Sequence, residues 1–287
     1  MTSKAPSYGG EFIVADWPSR GVELDNSDRF IAFSAFSSAF WKSLGSNFAT
    51  IRGDPQVRSV ILCSNTRAFT AGLDLKEDGL DLVGSDPARS ALLLRQHVLD
   101  FQAAISAIEN CERPVIVAIH GVCYGLGIDI ISACDIRICS SDARFSIKEV
   151  DAGIAADIGT LQRLPKKTGN DSLLRELAFT ARSFGSDEAC ELGLLSKAQV
   201  VKGSKEVLIA RVVHLAEQIA FKSPMATLGT KHLLNYSIDH TIHEGLNYTA
   251  LWSASALQAQ DVRESIETSI AGAQSARKPD FQPISKL

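Results

Sequence analysis

The apolar positions of this chain change period along its length, and that change predicts its elements. Short runs of apolar and β-branched residues at 11–17, 57–63, 115–119, 136–139 and 144–147 read as strands. Those at 57–63 and 115–119 are apolar at consecutive positions, as strands covered on both faces are. Phe33, Phe36, Phe40, Leu44 and Phe48 recur at helical spacing and predict a core-packed helix over residues 30–51, ended by Gly53 and Pro55. A second helix is predicted over 88–111, closed off by Arg113-Pro114, and a short apolar one over 128–133. Beyond Gly159 helices dominate: 172–181, one with Ser186 as its N-cap, 205–220, 224–236, and 240–272 with a break near Gln260. A last strand is predicted over 194–201. Strand–helix alternation followed by helix predicts an α/β core with a helical C-terminal part. No fixed-length repeat is visible in the residues.

Composition narrows the function classes. The chain has 287 residues, 45% of them hydrophobic, enough for a large core. Its net charge of −4 gives no reason to expect nucleic acid or an anionic membrane surface as a partner. An anionic ligand would need a local basic patch. No apolar run approaches the roughly 20 residues that span a bilayer, and the N-terminus lacks a hydrophobic signal core. The six Cys (63, 111, 123, 134, 139 and 190) show no CxxC spacing and several sit in apolar runs, so they are expected reduced, without disulfides. The last tripeptide, Ser285-Lys286-Leu287, is the address read by the peroxisomal import receptor, and predicts a place in the peroxisomal matrix. The polar, Pro-containing tail at 277–283 would keep it exposed.

The candidate chemistry is concentrated between Gly121 and Leu164. Asp129, Glu149 and Asp157 lie there in mostly apolar, Gly- and Ala-rich surroundings, where an ionised acid must be paired, solvated or catalytic. Two Gly-bearing loops, Ala71-Gly72-Leu73-Asp74 and Gly125-Leu126-Gly127, each follow a predicted apolar strand. Main-chain N–H groups at such places can form an oxyanion hole; turn chemistry and phosphate binding are the alternatives. The second loop is no dinucleotide fingerprint, because Ile130 stands where the third Gly belongs. Asp157 is read either as a helix N-cap opening residues 158–164 or as a desolvated proton-transfer group. Glu149 is read either as a site residue or as the ion-pair partner of Lys148 or Arg144. Asp135 is read as structural, paired with Arg137 or with backbone. His120 is expected to be a packed polar contact, and His240 and His243 lack the partners of a zinc site. No G-x-S-x-G elbow is present. No metal site is predicted.

These residues resemble the crotonase (enoyl-CoA hydratase/isomerase) superfamily over roughly residues 10–270. The runs that carry the likeness are residues 68–75, His120-Gly121, Cys134-Asp135-Ile136-Arg137 and residues 159–165. Asp129, Lys148-Glu149-Val150-Asp151-Ala152-Gly153 and Ala155-Ala156-Asp157 are similar to its Δ3,5-Δ2,4-dienoyl-CoA isomerase branch, peroxisomal members included. The resemblance implies a spiral of ββα units over residues 1–200 and a helical oligomerisation region over 201–276. The targeting tail follows at 277–287. It also implies a homotrimer or hexamer, an acyl-CoA thioester substrate and no cofactor beyond that coenzyme A. The thioester carbonyl would sit between the amides of Leu73 and Leu126, with Ala71, Gly72, Asp74, Lys76 and Gly125 around the substrate. Glu149 and Asp157 would move protons at C2 and C6, Asp129 would orient the dienoyl chain, and the reaction would serve β-oxidation of unsaturated fatty acids. Two departures stand out. Leu126 replaces the family's usual Gly and is expected to narrow the acyl pocket, and Trp17-Pro18-Ser19-Arg20-Gly21 departs from the family's Asn-Arg-Pro run. The rival readings are a 2-enoyl-CoA hydratase, a Δ3-Δ2-enoyl-CoA isomerase, and a non-catalytic acyl-CoA-binding or assembly subunit.

Overall fold

The computed structural model describes residues 9–10, 13–16, 28–33, 38–73, 86–271, 279 and 281–284. In chain order the elements begin with β1 (Gly9–Gly10), β2 (Ile13–Asp16), β3 (Asp28–Phe33), α1 (Ser38–Arg52), β4 (Ser59–Ser64) and α2 (Pro87–Asn110). There follow β5 (Val115–Ile119), β6 (Val122–Tyr124), α3 (Leu126–Ala133), β7 (Ile136–Ser140) and β8 (Arg144–Ser146). A 3-10 turn (Glu149–Ala152), α4 (Thr160–Lys167), α5 (Asp171–Thr180), β9 (Phe184–Gly185), α6 (Ser186–Leu192) and β10 (Val200–Val201) come next. The chain closes with α7 (Lys205–Ala220), α8 (Pro224–Ser237), α9 (Ile242–Ala256) and α10 (Gln260–Ala271).

The strands form a seven-stranded sheet, ordered β1-β2-β3-β4-β5-β7-β10, and a three-stranded sheet, ordered β6-β8-β9. From β3 to β10 the large sheet is parallel. Successive turns of chain give one strand to each sheet and then a helix: β5, β6 and α3, then β7, β8 and the helices after it. This is the predicted spiral of ββα units. The consecutive apolar residues of β4, β5 and β7 are explained by burial on both faces. Val60, Leu62, Val115, Val117 and Ile119 enter the main core, whereas Ile61, Cys63, Ile116, Ala118 and Ile138 meet Leu208, Val212 and Ala216 of α7.

Several elements differ from expectation. Residues 28–33 are a strand rather than the start of a helix, because β3 pairs with β2 on one side and, in register over its whole length, with β4 on the other. Tertiary pairing decides where an apolar run fits either period. The helix begins only at Ser38. The strand expected over 194–201 is reduced to β10 by the 3-10 turn Lys197–Gln199. The cap of α6 is Gly185, and the Ser186 hydroxyl donates instead to the Ser141 carbonyl at 3.2 Å. The helix break near Gln260 is present between α9 and α10. All six Cys are free, and burial pushes the thiols of Cys63, Cys134 and Cys139 up to about 12, which keeps them inert.

Candidate active site

Main-chain pairing brings the two Gly loops together. The segment after β4 joins the edge of β6: Thr70 N–H donates to Val122 O at 2.9 Å, and Tyr124 N–H donates back to Thr70 O at 3.0 Å. Two residues on along each segment lie Gly72 and the Gly125 turn. A methyl group on Gly125 would stand 3.9 Å from Gly72 Cα and 3.3 Å from Glu149 Oε1. Gly125 has φ +51, a conformation that disfavours any side chain, so glycine is required both for the turn and for the approach of the carboxylate.

The two predicted donors flank this contact. The Gly72 N–H is held by Thr70 Oγ1 at 3.0 Å, which leaves Leu73 as the next amide of that loop, with no acceptor among the described residues. Leu126 is the first residue of α3, so its N–H has no acceptor within the helix and lies at the positive end of the helix dipole. The Leu126 side chain does not narrow a pocket as expected. It is only 5% exposed and packs in the main core. Ala71 is exposed. Asp74, Lys76 and residues 17–21 lie outside the described residues.

The three acids interact in sequence. Asp129, on α3, is 2% exposed, and its Oδ1 accepts from the Thr160 N–H at 2.7 Å and from Thr160 Oγ1 at 2.8 Å. Burial pushes its carboxyl up to about 7; the Thr160 bonds oppose that shift and the charge of Glu149 adds to it. Glu149 opens the 3-10 turn after β8, and its Oε2 is buried without a hydrogen-bond partner among the described residues. Burial, then the charge of Asp157, holds its carboxyl above the usual range, partly offset by the main-chain amides of Glu149 and Lys148. Asp157 is exposed, four residues beyond the turn's closing Gly153. Thus Asp129 feels Glu149, and Glu149 feels Asp157, beside the junction of the two loops.

The structural alternatives for these acids resolve by inspection. Lys148 pairs with Asp151 at 2.6 Å, so it is not the partner of Glu149. Arg144 stands against Gly185 instead. Asp157 does not cap α4; the cap residue is Gly159, and Asp129 supplies the acceptor from across the fold. Asp135 is structural: its Oδ2 accepts from the Val115 N–H at 2.7 Å and pairs with Lys231 at 2.7 Å, while Arg137 bonds carbonyls. His120 is a packed contact to Thr66 O, at 2.9 Å. Missed from the sequence were Thr160 and two residues that hold the segment carrying Asp157, Gln102 and Arg163. The signal for Thr160 was available, as a hydroxyl at a helix start beside a buried acid. The signal for Gln102 was weaker, one polar position on a long helix.

The raised Asp129 carboxyl yields a signed prediction. In the unfolded chain this group ionises near its ordinary value of 3.8, and in the fold only near 7. Its burial therefore costs nothing below about pH 4, and the cost grows as pH rises to about 7, where it is complete. Asp129→Asn removes the titration and keeps an acceptor for Thr160. The unfolding free energy of wild type relative to this variant is expected to fall by a few kcal/mol, on the order set by that shift, between pH 4 and 8. Denaturant unfolding across that range measures it, and a pH-independent difference contradicts it.

Comparison with known proteins agrees with the fold and shows the family. Residues 27–282 match the family model described as enoyl-CoA hydratase/isomerase. The Δ3,5-Δ2,4-dienoyl-CoA isomerase of Rattus norvegicus mitochondria is 45% identical over 240 residues, 83% of this chain and 72% of that one. The peroxisomal protein of the same name from Arabidopsis thaliana is 43% identical over 255 residues, 88% of this chain and 89% of that one. Among solved structures, the enoyl-CoA hydratase of Bacillus anthracis superposes with a TM-score of 0.80 at 26% identity, covering 95% of this chain and 99% of that one. On the strength of that match and those relatives, the chain belongs to the enoyl-CoA hydratase/isomerase, or crotonase, family.

Proposed function

We propose that the chain isomerises 3,5-dienoyl-CoA thioesters to 2,4-dienoyl-CoA. The observation that supports this reading is the row of carboxyls, Asp129 feeling Glu149 and Glu149 feeling Asp157, in a chain whose relatives at 43–45% identity are named for that reaction. The thioester oxygen accepts from the N–H groups of Leu73 and Leu126. A proton leaves C2, the electron pair delocalises over the conjugated chain as a dienolate, and a proton is delivered at C6. Each amide donor contributes on the order of 3 kcal/mol where negative charge develops on that oxygen. Glu149 and Asp157 serve the two ends, and Asp129 orients the chain between them. A carboxyl held above its usual range, as Glu149 is, exchanges protons near neutral pH more readily than an ordinary one. Atoms and electrons balance without a redox partner, so the reaction needs no cofactor beyond the coenzyme A of the substrate.

Glu149→Gln and Asp157→Asn are each expected to lower turnover of 3,5-octadienoyl-CoA by about 100- to 10,000-fold while acyl-CoA still binds. Ultraviolet absorbance of the conjugated product reports the rate. Full turnover in either variant, or rapid hydration of crotonyl-CoA by the wild type, would overturn the assignment.

Two further readings go with this one. The first is a homotrimer or hexamer built through the C-terminal helices. The α9 helix buries no residue within its own chain, and Leu234, Ile242, Leu246, Leu251, Ile266 and Ile270 are exposed on α8, α9 and α10. Apolar surface of that extent is normally covered by another subunit. Sedimentation equilibrium should give three or six times 30.9 kDa, and a monomer mass rejects it.

The second is residence in the peroxisomal matrix, through recognition of Ser285-Lys286-Leu287, which lie outside the described residues. The named relatives are divided between mitochondria and peroxisomes. No helix among the described residues is long and apolar enough to cross a membrane. Deleting the tripeptide from a fluorescent fusion should turn a punctate peroxisomal signal diffuse; an unchanged pattern counts against it.

A further inference from the structure

The Asp157 carboxyl has no hydrogen bond or ion pair from any described residue, yet its main chain is gripped from one helix. Gln102 Nε2, on α2, donates to the Asp157 carbonyl at 2.6 Å. One turn and two turns further along the same face, Ser106 and Glu109 hold Arg163: Nη2 donates to Ser106 Oγ at 2.8 Å, and Nε pairs with Glu109 Oε2 at 3.0 Å. Thus anchored, the guanidinium lies over Gly159, where φ is +142 and a methyl group would collide with Nη1. The same Nη1 approaches the Ile158 carbonyl at 3.5 Å. Three successive residues, 157, 158 and 159, are therefore located by α2, two of them through Arg163. Thr160 follows at once and binds Asp129.

We infer that Gln102 is a positioning residue for Asp157, acting through the Asp157 carbonyl rather than on substrate. An exposed aspartate with no tie on its side chain takes its place from its backbone alone, with χ1 and χ2 as its remaining freedom. Releasing the carbonyl lets the carboxyl drift relative to the far end of the conjugated chain. The thioester end is untouched, because Leu73, Leu126 and the Gly125 turn are fixed by β6 and α3. Gln102 also borders a cavity of about 800 Å³ between α2, α4 and α8, so loss of its amide leaves the carbonyl open to water and spares the fold. The inference rests on the proposed function and places Asp157 at the C6 end of the dienolate, with Glu149 at C2.

The test compares wild type, Gln102→Leu, Gln102→Glu and Asp157→Asn on 3,5-octadienoyl-CoA. The Glu variant keeps the size of the side chain and replaces the donor amide by an acceptor at pH 8. Both Gln102 variants should keep the wild-type unfolding temperature and KM, while kcat falls about 10- to 100-fold, as displacement by about an ångström does. In D₂O, followed by mass spectrometry of substrate and product, exchange should persist at one end of the conjugated chain and fall with kcat at the other. Wild-type kcat in both Gln102 variants, with Asp157→Asn inactive, overturns the positioning role and leaves the site assignment standing. Equal loss of exchange at both ends also overturns it. An active Asp157→Asn overturns the site assignment itself, and this inference with it.

Discussion

A buried carboxyl ties the starts of α3 and α4 to one another. Asp129 sits in the first turn of α3, the helix whose first amide is Leu126, and it accepts two hydrogen bonds from Thr160, the first residue of α4. At the N-terminus of α4 the N-cap residue supplies no side-chain cap, Gln162 N–H turns back to the Gly159 carbonyl at 3.2 Å, and the N–H groups before it need acceptors from outside the helix. The charge that satisfies part of that need comes from the helix bearing the oxyanion-loop amide. The start of α3, where the Leu126 amide lies, and the first residue of α4 are thus joined through one side chain. The coupling has a cost, since burial, with the charge of the neighbouring Glu149 adding to it, pushes that carboxyl up to about 7. Such a group is retained where the geometry it enforces matters more than the stability it forfeits.

That geometry in turn depends on the sheets. A parallel sheet covered on both faces delivers the ends of β4 and β5 side by side, and the short strand pairing of Thr70 with β6 turns both chains toward the same place. The result is two tight turns in van der Waals reach of one another, Gly72 and Gly125, the second of which needs glycine for its φ of +51 and for the approach of Glu149 Oε1. The acids then arrive from three separate later segments: α3, the exit of β8, and the approach to α4. Their distance in sequence is spanned by the spiral, each turn of which adds a strand to each sheet before contributing a side chain to the site.

Much of this was legible in the residues, and what was not has physical causes. Consecutive apolar positions marked β4 and β5 because both faces are buried. The acids stood out because carboxylates in apolar runs are rare. The period failed at 28–33, where Phe30 and Phe33 fit a helix or a strand and only the pairing with β2 and β4 decides. For α4 a helical start near residue 158 was legible, but Pro165 inside it obscured its extent, and its acceptor is donated from across the fold, which no local pattern shows. Gln102, Ser106 and Glu109 form a polar stripe at spacings of four and three on α2, but such stripes usually face solvent. Only the packed structure shows that this one faces the 157–163 segment. Leu126 was misjudged for the same reason, because the direction of a side chain at a helix start is set by packing, and here it points into the core.

The environments of Glu149 and Asp157 differ in a way that suits transfer between two ends of a chain. Glu149 is half-buried, close against Gly125, and its Oε2 has no partner among the described residues, so its charge is poorly solvated. Asp157 is exposed and reaches water directly. An acid shielded from water exchanges its proton with solvent more slowly than one open to it, a difference that would serve the proposed transfer. The charge of Asp157 adds to the burial that holds the Glu149 carboxyl above its usual range. The asymmetry arises from backbone placement alone: one acid opens a turn against a glycine, and the other lies on a segment clamped by its carbonyls with its side chain left free.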